Sequence, residues 1–187
     1  MTMATTVIVR MALAVLAFAA GTAWAQDALS RAEARFLEKA AEHGLAEVAL
    51  GRLAQEKAMR DEVRQFADRM VADHSKANES LMEVAAANRV QLPTQLAERD
   101  QRELDKLRKL VGPEFDRAYM KRMLDDHRKD VKEFERQAKD AKNEEVRDFA
   151  ARTLLVLQSH HAAAKGTFDL ANAPRRTGDR MAGSSKP

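Results

Sequence analysis

Apolar positions recur along this chain at intervals of three and four residues, in four long blocks. The clearest block is Val63, Phe66, Ala67, Met70, Val71, His74, Ala77, Asn78, Leu81, Val84 and Ala85. An unbroken 3–4 spacing is the mark of a helix with one buried face. Asp61 is expected to cap this second helix. Ahead of it, Ser30-x-x-Glu33 forms a capping box. Phe36, Ala40, Gly44, Val48 and Gly51 then keep a helical period, which predicts a first helix to about Lys57. Phe115, Tyr119, Met123, His127, Val131, Phe134 and Ala138 predict a third long helix, with Pro113 in its first turn. Asn143 is expected to cap a fourth, striped by Val146, Phe149, Ala150, Thr153, Leu154, Leu157, His161, Ala164 and Phe168.

Between the second and third blocks, Leu92-Pro93-Thr94 interrupts the pattern, because proline cannot continue a helix ladder. A short charged helix is predicted over about 94–110, ended by Gly112-Pro113. Such a helix is roughly 25 Å long, enough to travel back along a bundle. The second and third long helices then run parallel, with the first and fourth opposed to them. The predicted fold is all-α: a ferritin-like four-helix bundle with an extra helix in the crossover.

Composition agrees with that pattern. The 187 residues suit one domain, aromatics are 5% and charged residues 33%. There is no cysteine, which excludes a disulfide scaffold, thiol chemistry and a lipidated N-terminus. Arg10, the apolar run from Met11 and Ala23-Trp24-Ala25 read as a cleavable secretory signal peptide over residues 1–25. The bundle domain is assigned to 26–171 and a disordered Pro/Gly/Ser/Arg tail to 172–187. The expected compartment is the periplasm, with peripheral envelope association as a further option. No other segment is apolar enough to span a bilayer. Residues 1–25 hold one arginine and no acid, so the exported part has 31 basic and 29 acidic residues. That balance and the expected export argue against a nucleic-acid partner. A homo-oligomer or an envelope protein remains open as a partner.

Two stretches nearly repeat: RMVADHSK at 69–76 and RMLDDHRK at 122–129. EVRQFADR at 62–69 is echoed by EVRDFAAR at 145–152. In a chain with five histidines, the first echo places His74 and His127 in matched helical settings. His74 lies 13 residues beyond Asp61, and His127 lies 14 beyond Pro113. Glu47 and His160 each lie 17 residues beyond the expected caps Ser30 and Asn143. With helices of about 28 residues in the predicted directions, all four fall within about 5 Å of one level. One inward ionisable residue per helix at mid-height is how bundle metal sites are built.

Di-iron bundles need Glu-x-x-His on two helices. Three residues before the five histidines stand Ala40, Val71, Leu124, Leu157 and Gln158, none acidic. A four-carboxylate centre is therefore absent, and with it the usual ferroxidase or oxygenase chemistry. Glu47, His74, His127 and His160 remain as candidates for a mononuclear site for Zn, Cu or Fe. His43, one turn before Glu47, and His161, beside His160, are secondary candidates. So are Met70 and Met123, each four residues before a motif histidine, whose thioethers would suit Cu(I). The same methionines equally suit an ordinary core. Asp73 and Asp126 are expected to pair with Arg69 and Arg122 on the helix surface. The chain shows no phosphate loop, no nucleophile triad and no HExxH, so hydrolase chemistry has no carrier.

The segments FLEKAAEHGLAEVALGRLA, VRQFADRMVADHSKAN and EFDRAYMKRMLDDHRKDVKEFE, with a final-helix histidine after TLLVLQS, resemble a family of exported bacterial proteins. That family carries only a domain-of-unknown-function label, and its members are often described as predicted (outer) membrane proteins. The resemblance spans about residues 30–170. It implies a ferritin-like fold and matches Glu47, Asp73, His74, Asp126, His127 and His160 to the family pattern. The chain departs from that pattern at His43, Leu155 and His161, where a small residue, a proline and an apolar residue are expected. It has no β-barrel patterning, so the reading is a periplasmic protein. Three functions stay in play. The first is a non-enzymatic bundle with one His/Glu metal site, in metal or envelope-stress handling. The second is an envelope structural or interaction module with a metal-free buried polar network. The third is a metal-dependent redox enzyme, which the missing motifs argue against.

Overall fold

The computed structural model describes residues 29–173. The expected leader over 1–25 and all but the first two residues of the expected tail lie outside the described residues. Five helices follow in order: α1 (Arg31–Lys57), α2 (Asp61–Ala87), α3 (Glu98–Lys109), α4 (Gly112–Asp140) and α5 (Glu144–Asn172). The four long helices form the bundle and α3 lies in the crossover, as the apolar periodicity predicts.

Hydrogen bonds at the helix ends establish the directions. Glu33, at the start of α1, meets Lys142 and Asn143, at the turn from α4 to α5. Asn88, just past the end of α2, meets Asn143 and Glu145 at the start of α5. Asp116, in the first turn of α4, meets Met59 and Arg60 at the α1–α2 turn. Hence α2 and α4 are parallel, and α1 and α5 run against them. α1 packs beside α2 and α4, and α5 beside the same two, so each packed pair of long helices is antiparallel.

Local chemistry explains most boundaries. Ser30 and Glu33 form the reciprocal capping box, and the Asn143 side chain accepts from the Val146 N–H at 3.1 Å. The expectation for Asp61 is corrected: Asp61 is the first residue of α2, and Arg60 precedes it without a side-chain cap. The carboxylate that organises that turn is Asp116, which accepts from the N–H groups of Met59 and Arg60 at 2.9 Å each. The crossover helix is also shorter than expected. It begins at Glu98, because Pro93 and the polar run after it hold the chain out of helix. Leu104 and Leu107 anchor α3 in the core, and its buried Asp100 pairs with Arg122 of α4 at 3.1 Å.

The glycines of α1 let α2 approach closely. A methyl group at Gly44 would fall 2.0 Å from the Asn78 Oδ1, and one at Gly51 would fall 2.8 Å from Val71. The apolar core divides into two clusters. One holds Leu50, Phe66, Met70, Phe115, Tyr119 and Met123. The other holds Phe36, Leu37, Leu81, Phe134, Phe149 and Leu157. Phe36 packs edge-on against Phe134 with ring centroids 5.0 Å apart.

Glu33 ties two hairpins together. One of its oxygens accepts from the Ser30 N–H at 2.8 Å. The other accepts from Lys142 and Asn143 at 2.7 and 2.9 Å. Burial alone would raise its pKa, but these hydrogen bonds outweigh it and hold the group below the ordinary 4.5. A lowered carboxylate pKa stabilises the fold above the unfolded value and is lost as pH falls through the folded one. Glu33→Ala should therefore lower unfolding free energy by about 2–4 kcal/mol at pH 7, read by urea denaturation. The gap to wild type should narrow as pH drops below about 4.

Candidate metal centre

A polar layer separates the two apolar clusters. On every long helix a buried ionisable residue stands between the residues of one cluster and those of the other: Glu47 on α1, His74 on α2, His127 on α4, with Asp130 one turn beyond it, and His160 on α5. Glu47 and the three histidines are at most 5% exposed. The antiparallel packing of neighbouring helices brings them to one level. The three imidazoles face one another, with ring centroids 5.2, 5.4 and 5.5 Å apart.

Each ring is held from behind through one nitrogen. His74 Nδ1 lies 2.9 Å from Glu47 Oε2. His127 Nδ1 donates to the Met123 carbonyl at 2.9 Å, with Glu47 Oε1 at 3.6 Å. His160 Nε2 donates to Asp73 Oδ2 at 2.8 Å. The other nitrogen of each ring, Nε2 of His74 and His127 and Nδ1 of His160, is buried without a protein partner. One ligand nitrogen from each of these three residues lies within 4.8 Å of the others. The donated N–H fixes each tautomer and turns the remaining lone pair inward, the usual support for a metal-bound histidine.

The sequence-derived candidates divide accordingly. His74, His127 and His160 are brought together with free nitrogens. Glu47 stands in the same layer and engages the opposite nitrogens of His74 and His127. His43 is half-buried and pairs instead with Asp130, Nδ1 to Oδ1 at 2.9 Å. His161 is half-buried and outside the three-histidine group. Met70 and Met123 are fully buried among apolar neighbours, and Met123 joins the site through its carbonyl oxygen. Arg122 pairs with Asp126 as expected. Asp73 does not behave as the i,i+4 pairing rule suggests. It reaches across to His160, because its position beside the α2–α5 seam puts an imidazole N–H within reach. Asp130, whose partner His43 lies on another helix, was missed although it stands three residues after His127 and four before Phe134, on the same helical stripe.

The layer's electrostatics follow from burial and proximity. Burial would raise the Glu47 pKa, but His74 and His127 outweigh it and bring the group down to about 2. His74 is disfavoured as a cation by burial, yet the facing Glu47 carboxylate raises its pKa overall. His160 is lowered to about 4, first by burial, with the neighbouring imidazoles adding to it against the opposing pull of Asp73. Tyr119 is buried with an unpartnered hydroxyl, and burial, then Glu47, pushes its pKa up.

The fold and this layer define a class: a four-helix bundle with a buried histidine centre. The chain belongs to the family described as Domain of unknown function (DUF4142), which matches residues 18–167. Among solved structures it is similar to the crystal structure of a DUF305 fragment from Deinococcus radiodurans, with a TM-score of 0.66 at 13% identity. The match covers 76% of this chain and 98% of that one, and at that identity it shows the fold alone. Comparison with curated proteins gives no match. Among the described residues, no helix is long and apolar enough to cross a membrane.

A histidine with a depressed folded pKa stabilises the fold fully above its unfolded value, near 6.5, and loses that contribution as pH falls toward the folded value. In metal-free protein the His160 ring should titrate near pH 4 by NMR, and His74 above 6.5. Relative to His160→Gln, wild type should lose about 3 kcal/mol of unfolding free energy between pH 6.5 and 4.

Proposed function

We propose that this protein is an exported, non-enzymatic helical bundle that holds one transition-metal ion between its helices, in periplasmic metal or envelope-stress handling. The observation that carries the reading is the set of three buried imidazoles with ligand nitrogens within 4.8 Å of one another, each ring keeping one nitrogen without a protein partner. A buried polar atom without a partner costs about 1–3 kcal/mol, so native interiors rarely keep several together. A metal-free polar network would need a hydrogen-bond partner for each of these nitrogens, and no protein group supplies one. Export is supported by the leader pattern of residues 1–25.

The residues fit a first-row ion. His74, His127 and His160 would supply three neutral imidazole donors, which suit Zn²⁺, Cu²⁺ or Fe²⁺. Glu47, Asp73 and the Met123 carbonyl would orient them. Tetrahedral nitrogens around zinc stand about 3.4 Å apart, so side-chain rotations of about an ångström would bring the rings into range. The buried carboxylate of Glu47 would offset part of the ion's charge. The ion would compete with a proton at His74, so affinity should fall as pH drops through that ring's titration.

Elemental analysis of untagged protein purified from the periplasm should find about one metal ion per chain. His74→Ala, His127→Ala and His160→Ala should each abolish it. Glu47→Gln and Asp73→Asn should weaken affinity by about 10–100-fold while the fold persists. At free metal a hundred times Kd, the added stability should be about 2.7 kcal/mol and should be reversed by a chelator. Protein that stays metal-free with Zn²⁺, Cu²⁺ and Fe²⁺ would overturn the reading in favour of a structural polar layer.

A further inference from the structure

The three histidines are 5%, 0% and 2% exposed and lie between two apolar clusters. A hydrated cation cannot reach them along the bundle axis, so a loaded site needs a lateral route. The seam between α1 and α4 supplies one. These two helices touch only lightly, and α3 covers the seam without filling it. A cleft of about 990 Å³ opens there, lined by residues of α1, α3 and α4.

The chemistry of this cleft is uneven. Several of its cations are paired: Arg99 with Asp100 at 3.2 Å, Arg102 with Glu98, Lys106 with Glu103 and Arg136 with Glu133. His43, Asp130 and Glu47 line it as well. Glu47 is 4% exposed, and its Oε1 has no hydrogen-bond partner. Its other oxygen is 2.9 Å from His74. Glu47 is therefore common to the cleft lining and the histidine layer. His43 has a side chain 38% exposed, and its Nδ1 is held by Asp130 at 2.9 Å. That hold leaves Nε2 as its ligating nitrogen, the same arrangement that prepares His74 through Glu47.

Resting on the metal-binding reading above, we propose that this cleft is the ion's route into the bundle and that His43 and Asp130 form a transfer pair. The pair takes a transition-metal cation from solvent at the cleft and passes it to Glu47 and the three histidines. An imidazole backed by a carboxylate suits a borderline divalent ion, and one ring nitrogen holds it weakly enough to release it to three. The rival route is the α2–α5 seam, where the half-exposed Asp73 touches His160. That seam is bridged directly by the 2.8 Å Asp73–His160 hydrogen bond.

The test is stopped-flow mixing of Co²⁺ with purified metal-free protein, following the visible absorption of the bound ion. His43→Gln and Asp130→Asn should each slow association by about tenfold, with Kd changed less than about threefold, because a transfer site alters rates in both directions equally. Asp68→Asn, on the outer face of α2, should change neither. His43 is half-exposed, so its variant should fold, and circular dichroism checks both variants. Unchanged association in a folded His43→Gln overturns the transfer pair. So does slowing by Asp73→Asn alone, which would place the route at the other seam. A large loss of equilibrium affinity in His43→Gln would make that residue a final ligand and also overturns the proposal. Absence of bound Co²⁺ in wild type, with Zn²⁺, Cu²⁺ and Fe²⁺ also unbound, would instead sink the metal-binding reading itself.

Discussion

The chain that leaves α2 must travel the length of the bundle before α4 can begin, and the other long-range contacts depend on that constraint. Residues 88–111 make the journey, with α3 as a rigid middle section. Because they do, α2 and α4 run parallel and sit diagonally across the core. The start of α1 then meets the α4–α5 turn, where Glu33 satisfies two backbone N–H groups. The α1–α2 turn meets the start of α4, where Asp116 does the same. These buried carboxylates latch opposite ends of the bundle. Each stabilises one arrangement of the hairpins, since an unmet backbone donor in the interior is costly.

The polar layer sits at the waist of the bundle, because His74 and His127 stand at the middle of α2 and α4, and Glu47 and His160 close to the middle of α1 and α5. A buried ionisable residue from each long helix thus arrives between two apolar clusters. Burial makes the layer both costly and useful. It removes water from three imidazoles and one carboxylate; that drives His160 toward neutrality, while His74 and His127 hold Glu47 ionised against it. It also leaves one nitrogen on each of the three rings without a protein partner. Low dielectric makes such buried polar atoms costly.

The layer also explains the asymmetry of the bundle surface. α4 and α5 pack closely, as do α1 and α2, while α1 and α4 stand apart under α3. A four-helix core with a polar waist does not need every seam closed, and the open seam borders the carboxylate of the layer. The ion pairs of Arg99, Arg122 and Arg136 line that opening. The Arg136–Glu133 pair is exposed and adds little to stability, while Arg99 and Arg122 share the buried Asp100.

Much of the fold was legible in the residues alone. Period and caps located α1, α2, α4 and α5 because a buried stripe must repeat at the helical pitch, and Ser30 and Asn143 satisfy end groups locally. Asp61 and the start of α3 were misread, since a distant carboxylate, Asp116, organises the first and a proline-led loop delays the second. Matched motifs and counting along the helices drew attention to His74, His127, His160 and Glu47. Sequence spacing places a residue on a face and at a height, and no more. Which ring nitrogen is held and which is free, that Asp73 serves His160, and that His43 belongs to Asp130 depend on distances between helices 87 residues apart in sequence. Those distances exist only once the helices are packed, because side-chain pairing across a seam depends on rotation and separation that no periodicity encodes.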